Sequence, residues 1–178
     1  MKILKKLFIV PLLILFCLSC EKDKFDPYNP DVELFVQQIK NGTYDNYEKG
    51  EDGQNLWLIM PEFTEDHIQA LIGYSKDTTH ILKYPFNPLS SRTPFPFGRP
   101  YSILGECLLW TVEGIRNGNG YGSLDPYLTD SAAIPVNTGL KGGDILIVRD
   151  LYQDWWSAFK YGDWKNSNPL KGTQYRWF

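Results

Sequence analysis

Two carboxylates and an aromatic ring share one short stretch. Glu106 and Glu113 lie seven residues apart in Pro100–Asn117, PYSILGECLLWTVEGIRN, with Trp110 between them. Two acids beside a ring are the equipment of a glycoside hydrolase. On a helix, however, seven residues rise about 10 Å, too far for the close carboxylate pair of a retaining enzyme. The plainer account pairs Glu113 with Arg116 and leaves Glu106 solvated or hydrogen-bonded to a loop. Other chemistry is thinly represented. The two histidines, His67 and His80, belong to no H-E-x-x-H pattern, and no calcium loop of alternating acids occurs. Metal catalysis is therefore disfavoured, and no cofactor is expected. No G-x-S-x-G elbow is present, and Asn117–Gly122, NGNGYG, lacks the flanking strand and helix of a phosphate loop.

The cysteines divide by position. Cys17 and Cys20 match C-x-x-C formally, but both fall in an apolar leader, where a thiol is removed or acylated. Cys107 then remains as one free thiol on an apolar helix face, a site for inert packing. Aromatic residues make up 15% of the chain. Trp110, Tyr121, Trp156 and Trp164 sit where helical stripes do not demand them, as does Trp177. Flat rings beside hydrogen-bonding groups serve ligand recognition, including stacking on sugars, so the first four are ligand-binding candidates. The competing account, core filling, is favoured for most of them.

The elements that position these residues follow from periodicity. Pro100–Asn117 reads as a central helix of about five turns, apolar on nearly all sides and so covered on nearly all sides. A first helix is expected over Pro30–Asn41, capped by Asn29, with Val32, Phe35, Val36 and Ile39 as its stripe. A second runs over Glu65–Lys76, capped by Thr64, burying Ile68, Leu71 and Ile72. The last is expected from Asp144 to Lys160, with Val148, Tyr152, Trp155 and Phe159 in line; a strand at Ile145–Val148 competes. Leu56–Met60 is open between strand and helical turn. Tyr84–Pro100, rich in proline and rings, is expected as an ordered loop over the core. Ser123–Gly143 should be irregular, and the ring-bearing tail Gly162–Phe178 should dock. The expected fold class is thus mainly α: one small domain over residues 30–178, four to five helices, with long Pro- and aromatic-rich loops.

Residues 1–20 stand outside that domain. Lys2, Lys5 and Lys6 precede the uncharged apolar run Leu7–Leu18, which is too short to span a bilayer and has signal-peptide length. Leu18-Ser19-Cys20 resembles a bacterial lipobox, in which Cys20 is lipidated and becomes the new N-terminus; Cys17 stands where leucine is usual. Residues 21–29 then form a polar tether, resembling the export signal of Bacteroidetes surface lipoproteins. Loss of residues 1–20 removes three lysines and no acids, taking the net charge from −3 to −6. Nucleic acid is an improbable partner for such a surface, and the membrane would hold the protein through its acyl chains.

Several phrases together, FVQQIKNGTYD, YPFNPLSS, GECLLWTVEGIR, SLDPYL and DLYQDWW, resemble an uncharacterised family of small Bacteroidetes lipoproteins, a domain of unknown function. GECLLWTVEGIR and LYQDWW also resemble helices of HEAT-like α-repeats, which implies helix pairs, though no repeat period is visible. The family lends no catalytic residues. Asp77-Thr78-Thr79 and Asp130-Ser131-Ala132 resemble Bacteroidetes O-glycosylation sites, naming Thr78 and Ser131 as acceptors. The resulting expectation is an outer-membrane, lipid-anchored protein, exposed at the cell surface if the tether signal operates. Its role would be non-catalytic binding of a glycan, peptide or partner lipoprotein. The alternatives are a polymer hydrolase with a carboxylate pair and a structural scaffold.

Overall fold

In the computed structural model, which describes residues 25–90, 95, 99–134 and 138–178, the first regular element is α1, Val32–Lys40. The expected leader, with Cys17 and Cys20, lies outside the described residues. Asp31, rather than Asn29, caps α1: its carboxylate accepts the Leu34 N–H at 2.8 Å. Val32, Phe35, Val36 and Ile39 are buried as their spacing implied. Asn41 and the left-handed Gly42 (φ 66°) end the helix. Strands β1, Tyr47–Lys49, and β2, Asn55–Leu58, form an antiparallel hairpin, so most of Leu56–Met60 resolves as strand.

A 3-10 turn, Glu65–His67, feeds α2, Ile68–Tyr74. His67 closes the turn, its Nδ1 accepting the Thr64 N–H at 2.9 Å. Helix α2 stops early because the Ser75 hydroxyl donates to the Ile72 carbonyl at 2.8 Å. Strand β3, His80–Ile81, pairs antiparallel with β4, Ser102–Ile103. Helix α3, Leu104–Arg116, starts directly from β4. The first turn expected at Pro100 is therefore missing: Ser102 and Ile103 satisfy their backbone groups by strand pairing instead. Strand β5, Leu128–Asp130, pairs with β6, Tyr175–Trp177, and Thr129 also bridges Gly139. Helix α4, Gly142–Phe159, settles Ile145–Val148 as helix, and Asp144 lies in its first turn, not at its cap.

The fold is therefore mixed α/β rather than mainly α. Among the described residues there are four α-helices and three two-stranded antiparallel sheets. HEAT-like helix pairs are not its organising motif, since strand-bearing segments join the helices. Strands of two to four residues are too short to print a period on the sequence.

The expectation for α3 as a covered central post holds from Leu104 to Gly114, where every residue is buried. Helix α2 crosses it closely. A Cβ on Gly105 would stand 2.0 Å from the Ser75 carbonyl oxygen. Around α1, Phe35 gathers the rings of Phe25, Tyr44, Phe63 and Tyr84 at centroid distances of 5.1–5.9 Å, mostly edge to face. Phe25, within the segment expected as tether, is thus a core residue.

Candidate functional site

The two acids of α3 are both consumed by the fold. Glu106 is fully buried and pairs with Arg99, while its other oxygen accepts the Leu128 N–H at 2.7 Å. One carboxylate thereby ties α3 to β5 and to the end of the proline-rich loop. Burial pushes this carboxyl up to about 7, against the pull of Arg99 and of the Leu128 and Ile103 amides. Glu113 pairs with Arg116 at 2.7 Å and accepts the Tyr152 hydroxyl at 2.6 Å. Tyr152 in turn accepts the Trp177 Nε1–H at 2.8 Å. Arg116 also donates to the Lys165 carbonyl at 3.1 Å. Both acids are buried and ion-paired, so neither is presented at the surface as a leaving-group acid or nucleophile. The sequence suggested the Arg116 partner through its spacing. It gave no sign of Arg99, Tyr152 or Trp177.

The candidate rings meet different fates. Trp110 is fully buried, and its Nε1–H donates to the Ser123 hydroxyl at 2.9 Å. Trp156 and Trp164 are also buried, packed edge to face at 5.8 Å. Tyr121 is half-buried, tilted against Trp110 at 5.6 Å. These rings are not brought together as one exposed platform. Cys107 is fully buried, and burial drives its thiol well above the usual range. His67 is committed to its turn, and exposed His80 stacks on Tyr101 at 3.7 Å. Thr78 and Ser131 are exposed. Among the described residues no His, Cys, Asp and Glu group could hold a metal ion.

A different place has the geometry of a contact site. A shallow, open depression of about 450 Å³ lies between Met60–Glu65, the Gly118–Gly120 turn and Trp164–Lys165. Phe63 and Trp164 give it apolar wall. Glu62, Glu65, Asn119 and Lys165, all exposed, surround those rings with hydrogen-bonding groups. The Lys165 ammonium rests 5.2 Å from the Trp164 ring centre. Trp164 is the one nominated ring that lines it. The other walls come from segments far apart in the chain, so no local pattern announced them.

The sequence pattern of a domain of unknown function, DUF4943, matches residues 26–178. The chain belongs to the DUF4943 family. No curated protein and no solved structure matches it. The DUF4943 match begins one residue after Phe25, the first described residue, and takes in the depression and every element above. Membership brings no assigned activity, so the site must be argued from its own chemistry.

Proposed function

We propose that this DUF4943 protein is a lipid-anchored, non-catalytic binding module of a Bacteroidetes outer membrane, holding a sugar residue of a glycan in the depression. The observation that carries the binding role is the mixed lining: Phe63 and Trp164 among Glu62, Glu65, Asn119 and Lys165. A sugar offers apolar C–H groups to such a wall and hydroxyls to such polar groups. The volume, about 450 Å³, falls within the range of small-ligand sites. The anchor is supported by the basic start, the short apolar run and the lipobox-like Leu18-Ser19-Cys20. The burial of Trp110, Trp156 and Trp164 supports a second reading, a structural scaffold with no ligand.

A glycan array followed by calorimetry separates the two. The whole chain should bind at least one glycan, and the paired substitutions Asn119→Ala and Lys165→Ala should weaken that binding about tenfold, as expected for losing two polar contacts. Both side chains are exposed, so the fold should tolerate the change. A blank array, or affinity untouched by the double substitution, would leave the scaffold reading standing.

A further inference from the structure

We infer that the β1–β2 hairpin is a membrane-contact element, with Trp57 seated in the headgroup layer of the bilayer that carries the anchor. The inference rests on the lipid-anchor reading above. Four residues, Glu21–Lys24, separate Cys20 from Phe25. Phe25 already belongs to the core, 5% exposed, with its ring 5.5 Å from that of Tyr44. Five residue steps reach at most about 18 Å even when fully extended. A domain of this length has a radius of gyration of about 15 Å. The tether is therefore shorter than the domain is wide, and an acylated Cys20 holds the Phe25 side of the molecule close to the lipid.

The hairpin leaves the core on that side. The Tyr44 hydroxyl, whose ring packs on Phe25, donates to the Ile59 carbonyl at 2.7 Å. The Glu62 N–H donates to the Pro27 carbonyl at 2.8 Å. The stretches flanking the hairpin are thus pinned beside Phe25 and Pro27, five and seven residues after Cys20. Leu56 and Trp57 on β2 are each 43% exposed, and Tyr28 is exposed nearby in sequence to Phe25. Of the remaining tryptophans, four are buried and Trp177 is half-buried. An indole has an apolar body and a polar N–H, the combination that favours the headgroup level. Leu56 and Trp57 are consecutive and point to opposite faces of the strand, so the hairpin meets lipid along its edge. Glu48, Glu51 and Asp52, against the single cation Lys49, are exposed on the same hairpin, leave it net acidic and keep its tip out of the acyl region. Their charge also sets a sign: the contact suits zwitterionic lipid and weakens on an anionic surface.

The test uses the mature, acylated chain in phosphatidylcholine vesicles, with and without brominated acyl chains. The brominated lipid should quench part of the tryptophan emission, and Trp57→Phe should abolish that loss. Acrylamide quenching from the aqueous side should fall when the wild-type chain joins plain vesicles. Replacing a third of the lipid with phosphatidylglycerol should reduce the bromolipid effect. A chain that floats with the vesicles but shows no bromolipid quenching, or equal quenching after Trp57→Phe, overturns the contact alone. It would hand this hairpin to a protein partner. A chain that does not float with the vesicles overturns the anchor and the contact together.

Discussion

Glu106 is a carboxylate placed where water cannot reach it, and its titration is a stability statement. Its ordinary value of 4.5 is raised to about 7, chiefly by burial. Between those values the folded chain keeps a proton that the unfolded chain has released. Stability contributed here is therefore complete below about pH 4.5 and is lost as pH rises toward 7, by about 3 kcal/mol at 1.36 kcal/mol per unit. Urea midpoints measured from pH 4 to 8 should fall relative to those of Glu106→Gln, which cannot titrate; parallel profiles would refute this. Legibility at this scale followed distance along the chain. Glu113 and Arg116 are three apart on one helix, so their pairing could be read. Arg99 lies in a proline-rich loop, and Tyr152 and Trp177 lie on other elements. Nothing local distinguishes such partners from any other arginine or ring.

Helix α3 shows what periodicity does and does not reveal. Its cover on all sides was written in Leu104, Leu108, Leu109, Trp110 and Val112, and every one is buried. Its start was misplaced because β4 competes for Ser102 and Ile103 through a partner strand some twenty residues away. The same limit hid β5 and β6, whose backbones pair across the length of α4. The closeness of α2 and α3 supplies a sharp test. Gly105→Ala would drive a methyl group against the Ser75 carbonyl and should cost about 3 kcal/mol. Gly73→Ala, in α2 with nothing near the added carbon, should gain about 0.5–1 kcal/mol from helix propensity. Thermal unfolding of the two variants should move in opposite directions. A Gly105→Ala variant as stable as wild type would mean that the helices are not in this contact.

At the scale of the molecule, one continuous core joins α1 to the final strand, while the β1–β2 hairpin is mostly exposed. In hydrogen exchange of the free protein, amides of Tyr47–Leu58 should therefore exchange by local opening, about a hundredfold sooner than those of Leu104–Gly114. Matching rates would place the hairpin inside the global cooperative unit. The chain of bonds from Trp177 through Tyr152 to Glu113 has a further effect on how this core is assembled. Were β6 to slip by one residue against β5, every side chain on it would swap faces. Trp177 would turn outward, and the Tyr152 hydroxyl, still donating to Glu113, would lose the bond it accepts in the interior. The short strand thus carries its own proofreading: a misaligned ending is penalised not by missing strand bonds, which a slipped pair can remake, but by a shortened polar relay behind it.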